Sequence, residues 1–149
     1  FDCRGNGRSH RQGCGRRMIG LDTNVLVRYI VRDDPAQTAL ADHCIDHRCS
    51  REQPGYVSHL VMAELCWVLE RGYGYPRQIL GEVLGTLLTS EEIKIQDAPR
   101  VRLALGAFSA GAVDFADCLI GLLHQRAECE TTVTFDKKAA RLPTHRLLE

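Results

Sequence analysis

The sequence predicts an α/β protein, a three-layer α/β/α sandwich with a short central parallel β-sheet. Short apolar or β-branched segments alternate with longer helical patterns, and turn or capping residues separate them. Such alternation is typical of parallel sheets with helices on both faces. With 149 residues, 44% hydrophobic and 26% charged, the chain has the size and composition of one domain with a sizeable core.

The predicted strands are short. Met18–Leu21 is an apolar run that ends at Asp22, and Thr131–Phe135 is rich in the β-branched residues that favour strands. The remaining strands are predicted from brief segments bounded by turns. In chain order the predicted strands are 18–21, 55–57, 92–96, 131–135 and 145–148.

The predicted helices are placed by their capping residues. Asp34 followed by Pro35 is a helix start, because an acid caps the helix and proline suits its first position. Ser58 can cap the next helix, and Gly72 and Gly74 end it. In chain order the predicted helices are 25–31, 35–48, 60–71, 76–88, 99–109 and 114–126, with a short helix after residue 136.

Residues 1–17 differ from the rest of the chain in charge. They contain five Arg and one Asp, a charge of +4, so residues 18–149 carry −4 in a chain of zero net charge. We expect 1–17 to be a disordered or non-native tail, with a basic RNA-contacting arm as the alternative, and 18–149 to be the folded domain. An acidic domain of this kind would need cations in order to handle nucleic acid.

Two further features concern the compartment. No apolar run reaches the about 18–20 residues that cross a bilayer, and the first residues lack the apolar core of a secretory signal. The seven cysteines are odd in number and scattered, unlike a disulfide framework. We therefore expect a cytoplasmic protein without a membrane partner, in which Cys66 and Cys118 are buried as small apolar residues.

Carboxylates from separate segments are predicted to meet at one edge of the sheet. Asp22 follows the first predicted strand and Asp136 follows the fourth, and ligands of open α/β sheets bind beyond these strand ends. Either residue could instead be an ordinary helix cap. Glu64 falls within the apolar stripe of Val61, Leu65 and Val68, so we expect it to be partly buried. Such burial requires a metal or, as the alternative, a distant ion pair.

The segment AVDFADCLIG at 112–121 adds two aspartates three residues apart. Asp117 lies one helical turn in and borders an apolar face that includes Ile120. Asp114 stands at the start of the helix, where its carboxylate can accept backbone N–H bonds. Capping is the favoured role for Asp114, and tuning of the site is the alternative.

Carboxylates that cluster without cations repel one another, and a divalent metal relieves that repulsion. Oxygen-only ligands suit Mg²⁺ or Mn²⁺, and their natural chemistry is metal-assisted hydrolysis of a phosphoester. The motifs G-x-G-x-x-G, G-x-x-x-x-G-K-[ST], G-x-S-x-G and H-E-x-x-H are absent from the sequence. The sequence therefore favours a metal-dependent hydrolase.

Four segments resemble, in order and spacing, the PIN-domain ribonucleases, and most closely the VapC-type toxins of toxin–antitoxin pairs. They are MIGLDTNVLVRYI (18–30), SHLVMAELCWVLE (58–70), AVDFADCLIG (112–121) and TVTFDKKAARL (132–142). The resemblance implies a Mg²⁺- or Mn²⁺-dependent endoribonuclease that leaves 3′-hydroxyl and 5′-phosphate ends. It further implies a cytoplasmic homodimer and a cognate antitoxin that occupies the acidic pocket.

The resemblance also assigns roles to individual residues. It implies that Asn24 and Thr134 support the carboxylates by hydrogen bonds. The residues that match the acids of the family, expected to be catalytic and to hold metal, are Asp22, Glu64, Asp117 and the more variable Asp136.

Contacts with substrate and partner are predicted from basic and apolar segments. Lys137, Lys138 and Arg141 are candidate contacts to RNA phosphate, with a solvated basic helix end as the equal alternative. Arg28 and Arg32 are weaker candidates for phosphate or partner contacts. Residues 25–31 and 39–45 are apolar enough to offer a groove to an antitoxin helix.

Two other functions remain open from the sequence. One is a PIN-type nuclease of RNA processing that is not a toxin. The other is a non-catalytic α/β binding module whose acids are caps and ion pairs.

Overall fold

The computed structural model describes residues 18–149, so the predictions for residues 1–17 lie outside the described residues. The helices are Thr23–Val31 (α1), Pro35–Arg48 (α2), His59–Tyr73 (α3), Arg77–Thr89 (α4), Ala98–Ala110 (α5) and Phe115–Arg126 (α6). The strands are Ile19–Gly20 (β1), Gly55–Val57 (β2), Ile93–Ile95 (β3), Thr132–Thr134 (β4) and His145–Leu147 (β5). A 3₁₀ turn covers Ala139–Arg141. The predicted α/β class and order of elements are confirmed.

The strands form two parallel sheets in the described part of the chain. β1, β2 and β3 pair in that order, and β4 pairs with β5. Gly55 begins β2 where the chain passes very close to its neighbours. A Cβ at this position would lie 2.6 Å from Leu21 Cδ1 and 3.0 Å from Cys49 Sγ. The absence of a side chain at Gly55 therefore allows β2 to pair with β1 while the side chains of Leu21 and Cys49 pack against the backbone of residue 55.

The capping residues set several helix ends as predicted. The Asp34 side chain accepts a hydrogen bond from the Gln37 N–H at 2.9 Å, and α2 begins at Pro35. Ser58 Oγ accepts from the Val61 N–H at 3.3 Å at the start of α3. Gly74, with φ of 68°, ends α3 in the left-handed conformation that favours glycine.

The core lies between the three-stranded sheet and the helices. Cys66 and Cys118 are buried in it, as predicted. Phe108 of α5 and Phe115 of α6 are also buried, with ring centroids 6.0 Å apart in an edge-to-face arrangement. This contact joins α5 to α6, the helix that carries Asp117. Among the described helices, none is long and apolar enough to cross a membrane.

Candidate active site

The first part of the site joins the end of β1 to α3. Asp22 occupies the N-cap position of α1, yet its exposed carboxylate makes no capping hydrogen bond. The next residue, Thr23, is buried, and its hydroxyl donates a short hydrogen bond to Glu64 Oε2. Thr23 therefore orients the Glu64 carboxylate on the helix that packs against α1.

The expected burial of Glu64 is wrong, because its side chain is exposed. The buried residues of α3 are Met62, Leu65, Cys66 and Leu69. Val61 and Val68 of the predicted stripe are only half-buried and lie at the border of the observed buried face. The core face is thus rotated away from Glu64, and the carboxylate reaches solvent without the cost of burial.

The second part of the site is centred on Asp117, which is half-buried on α6. Burial raises the pKa of the Asp117 carboxyl, and the negative charges of Asp114 and Asp136 raise it further. The His145 imidazole acts on the same pKa in the opposite direction. Asp114 and Asp136 therefore both lie within electrostatic reach of Asp117, although Asp136 comes from a different element.

The predicted environment of Asp117 needs one correction. Ile120, which was expected to define the apolar face beside it, is exposed. The buried side of α6 is formed by Phe115, Cys118, Leu119 and Gly121. Asp117 thus borders the buried side at Cys118 and Gly121.

The predicted capping role of the Asp114 carboxylate is also wrong. Asp114 does occupy the N-cap position of α6, but its side chain makes no capping hydrogen bond. Its backbone carbonyl accepts from the Cys118 N–H at 3.1 Å instead. The carboxylate is exposed and acts on Asp117 through its charge.

Asp136 combines a structural contact with its place near Asp117. Its Oδ1 accepts from the Lys138 N–H at 2.7 Å and from the Ala139 N–H at 3.4 Å. Thr134 Oγ1 accepts from the Asp136 N–H at 3.0 Å. These bonds hold the turn after β4 in one conformation, so the position of the carboxylate is fixed by the backbone.

The two predicted supporting residues differ in what they contact. Thr134 bonds the backbone of Asp136, as described above. Asn24 is exposed and lines a cavity between α1 and α2. The hydroxyl of Thr23, for which the sequence predicts no contact, bonds to Glu64. The one sequence signal for this contact is that Thr23 directly follows Asp22.

The charge balance of the acids fits a cation. Within residues 18–149, no ion pair to Arg or Lys is made by Asp22, Glu64, Asp114, Asp117 or Asp136. Also within that range, no three His, Cys, Asp or Glu side chains form a ready-made metal cage. Mg²⁺ usually keeps several waters and uses only one or two carboxylates, so a site with few oxygen donors suits its chemistry.

The predicted basic contacts fall into two groups. Lys137, Lys138 and Arg141 are exposed beside Asp136. Arg28 and Arg32 are already paired, at 2.7 Å from Asp33 and 2.7 Å from Asp42 respectively. The first group is therefore available to a ligand, whereas the second group supports the junction of α1 and α2.

The start of α6 is held by a contact that the sequence did not suggest. Arg77 Nη1 donates to the Phe108 carbonyl at 2.8 Å and to the Val113 carbonyl at 3.0 Å. Its guanidinium also lies 4.1 Å from the centroid of the Phe108 ring. Since Val113 directly precedes Asp114, Arg77 fixes where the acidic helix begins.

On α6, one helical turn after Asp117, atoms of Thr144 and His145 pack closely around Gly121. A Cβ at Gly121 would lie 2.6 Å from His145 Cε1. His145 is buried on β5, and burial lowers the pKa of its imidazole. β5 can therefore approach the helix face that carries Asp117 only because residue 121 has no side chain.

A cavity of about 240 Å³ lies between α1 and α2. Its lining is mainly apolar and includes Val25, Leu40, Ala41 and Cys44, with Asn24 at one side. Leu40 is 72% exposed. The two segments predicted to form a groove thus share an open apolar depression that begins two residues after Asp22.

Comparison with known proteins identifies the family. The family model described as the PIN domain matches residues 19–144. The chain belongs to the PIN domain family, which confirms the predicted resemblance. It is also similar to the VapC ribonuclease of Aquifex aeolicus (strain VF5), with 25% identity over 122 residues that cover 82% of this chain and 90% of that protein. No solved structure matches the chain with significance.

Proposed function

We propose that this protein is a Mg²⁺- or Mn²⁺-dependent endoribonuclease that hydrolyses RNA phosphodiester bonds. The observation that carries the proposal is the half-buried Asp117 carboxylate, which lies near Asp114 and Asp136 without a compensating Arg or Lys from residues 18–149. The similarity to a protein named VapC ribonuclease supports RNA as the substrate.

In this proposal Asp22, Glu64 and Asp117 hold the metal directly or through water, and Asp136 completes the pocket. A bound divalent ion would lower the pKa of a water and stabilise the charge that develops on the phosphate. Thr23 orients Glu64 through its hydroxyl, and Thr134 holds the backbone of Asp136. Asp114 tunes the site through its charge.

Cleavage of total RNA, with the new ends mapped, tests the reaction. The wild type with Mn²⁺ should leave 3′-hydroxyl and 5′-phosphate ends. Asp22→Asn, Glu64→Gln and Asp117→Ala should each abolish cleavage and leave the far-UV circular dichroism spectrum unchanged. Glu82→Gln is the matched control, because Glu82 is an exposed carboxylate on α4. A folded and fully active Asp22→Asn protein would contradict the assigned roles.

We further propose that the protein is a toxin and that a cognate antitoxin inserts an apolar helix into the cavity between α1 and α2. The apolar lining and the exposed Leu40 suit the nonpolar face of such a helix. Expression of the protein alone should arrest growth, and co-expression of the small protein encoded beside it should relieve the arrest. Growth without arrest, together with RNA cleavage in vitro, would favour a nuclease of RNA processing.

Leu40→Asp tests the antitoxin site separately. It should leave RNA cleavage intact while preventing relief by the antitoxin. Leu103→Asp is the matched control, since Leu103 is 61% exposed on α5, a helix that does not line the cavity. Equal relief of both variants would place the antitoxin elsewhere.

We also propose a cytoplasmic homodimer. Leu60 and Trp67 are exposed on α3, one helical turn before and after the exposed Glu64, and so give apolar surface that a second copy can cover beside the candidate site. Light scattering after size exclusion should give twice the chain mass, and Trp67→Glu should give the monomer. A monomeric wild type at micromolar concentration would contradict the dimer.

A further inference from the structure

An exposed aromatic residue lies directly beside the candidate site. Phe135 is 82% exposed, more than any other large hydrophobic residue in the described range. It stands between Thr134, whose hydroxyl bonds the backbone of Asp136, and Asp136 itself. The phenyl ring is therefore presented to solvent immediately next to one of the carboxylates near Asp117.

The backbone around Phe135 is fixed on both sides. Before it, the Thr134 carbonyl accepts from the Leu148 N–H at 2.8 Å, which extends the pairing of β4 and β5. After it, the Asp136 carboxylate accepts from the Lys138 N–H at 2.7 Å. The exposed ring thus projects from an ordered turn, so the protein loses little backbone entropy when a ligand stacks on the ring.

Phe135 is part of a larger open surface, which we call the β4–β5 face and define as Val133, Phe135, Arg146 and Leu148. In the parallel register Val133 lies opposite Arg146, and both are exposed. The alternate residues of the two strands, Thr132, Thr134, His145 and Leu147, are buried or half-buried. The small sheet therefore turns one side toward the protein and leaves the β4–β5 face open.

The charge around this face is opposite to that of the rest of the domain. Residues 132–148 contain two Lys, two Arg and one Asp, a charge of +3, within residues 18–149 that carry −4. Lys137, Lys138, Arg141 and Arg146 are exposed, and none of them forms an ion pair with an acid of residues 18–149. The β4–β5 face thus combines a flat aromatic ring with one unpaired cation, Arg146, and three more unpaired cations follow Phe135 along the chain.

This combination complements a single strand of RNA. Bases of any sequence stack on exposed aromatic rings, and unpaired Lys and Arg attract the phosphates between the bases. An apolar helix of a protein partner would place its nonpolar side chains on Arg146 as well as on Phe135, and so gain less.

We infer that the β4–β5 face binds the single-stranded RNA that flanks the scissile phosphate, with one base stacked on Phe135 and a phosphate near Arg146. The inference rests on the proposed ribonuclease function and adds to it a binding surface for the substrate, with Phe135 as the residue that stacks on a base. Base-paired RNA would bind poorly, because its bases cannot open onto the ring.

Binding is tested with the full chain carrying Asp117→Asn, so that RNA is bound without being cleaved. The probe is a labelled 12-nucleotide single-stranded RNA of mixed sequence. Phe135→Ala should raise the Kd about 5- to 100-fold, the usual effect of losing one base stack. Phe135→Leu should lose most of the affinity, and Phe135→Trp should retain it. Leu103→Ala, which truncates an exposed side chain on α5, is the matched control and should leave the Kd unchanged.

Two further measurements separate stacking from general hydrophobicity. The fluorescence of Phe135→Trp should be quenched by the RNA more than that of the parent protein, which contains Trp67 alone. Arg146→Gln should reduce the slope of log K against log salt by about 1, as expected for the loss of one phosphate contact. Circular dichroism checks that each variant is folded.

The outcomes distinguish this inference from the proposed function. Equal Kd values for Phe135→Ala and its parent, with no additional quenching in Phe135→Trp, would overturn the inference. Unchanged RNA binding together with loss of antitoxin neutralisation would assign the face to a protein partner, and would also overturn it. Absence of RNA cleavage by the wild type would refute the proposed function, and this is measured without any change at Phe135.

Discussion

Replacement of Gly121 by Ala is expected to destabilise the protein, although the same change stabilises an ordinary helix. A methyl group at residue 121 would lie 2.6 Å from His145 Cε1 and 2.9 Å from Thr144 Cβ, with Thr144 Oγ1 closer still. The Thr144 hydroxyl can rotate away, but its Cβ and the buried imidazole of His145 cannot move without shifting β5. Overpacking of this kind costs about 1–3 kcal/mol.

The gain in helix propensity offsets only part of that cost. Alanine is favoured over glycine in a helix interior by about 1 kcal/mol. With three atoms in close contact, we place the packing cost near its upper range, so the net loss is about 1–2 kcal/mol in the free energy of unfolding. For a chain of this size, that loss lowers the melting temperature by about 2–8 °C.

Urea unfolding followed by circular dichroism measures this loss. The midpoint should fall without a change in the m-value, because the native contact is altered and the denatured chain is not. Gly106→Ala on α5 is the matched control, since a Cβ there would have no atom within 4 Å. It should raise the stability by about 1 kcal/mol. If Gly121→Ala were as stable as Gly106→Ala, the close approach of β5 to α6 would be refuted.

Three other predictions concern the supports of the acids. Arg77→Met removes two charge-assisted hydrogen bonds to carbonyls and should cost about 2–4 kcal/mol in urea unfolding. Arg77→Lys should recover part of that loss, and equal stabilities of the wild type and Arg77→Met would contradict the role. Thr23→Val should lower the rate of RNA cleavage about 10–100-fold by freeing Glu64, whereas Thr23→Ser should retain most of the rate. Because the pKa of Asp117 is raised in the folded protein, its contribution to stability falls as the pH rises from the ordinary carboxyl range through the raised pKa. In EDTA, Asp117→Asn should therefore melt above the wild type at neutral pH and lose this pH dependence, and a lower melting temperature would count against the repulsion.

Local signals in the sequence predicted much of the fold. The start of α2 is predicted correctly, because Asp34 and Pro35 act within one helical turn of each other. The end of α3 is set by the left-handed conformation of Gly74, which depends on that residue alone. Four of the five strands are shorter than predicted, since pairing with neighbours decides how far each strand extends and the sequence does not encode those partners locally.

The sequence indicated candidate site residues but not the contacts that these residues make. The strand-end rule predicts Asp22 and Asp136 at one edge of a single sheet, whereas β1 and β4 belong to two different sheets within residues 18–149. The structure does bring Asp136 within electrostatic reach of Asp117. The exposure of Glu64 could not be predicted, because the half-buried Val61 and Val68 give the same apolar spacing as the core stripe. The Arg77 contact joins residues more than 30 positions apart, and nothing near Arg77 in the sequence indicates it.

The division of the strands into two sheets has a consequence for the lifetime of the assembled site. Within residues 18–149, β4 and β5 pair with each other and make no ladder with the other three strands. A unit of this kind can open and close by itself at a smaller free-energy cost than global unfolding. Each such opening would carry Asp136 away from Asp117 while the rest of the domain stays folded. In the proposed mechanism, the local opening equilibrium of the last two strands thus sets the fraction of molecules in which Asp136 lies near Asp117.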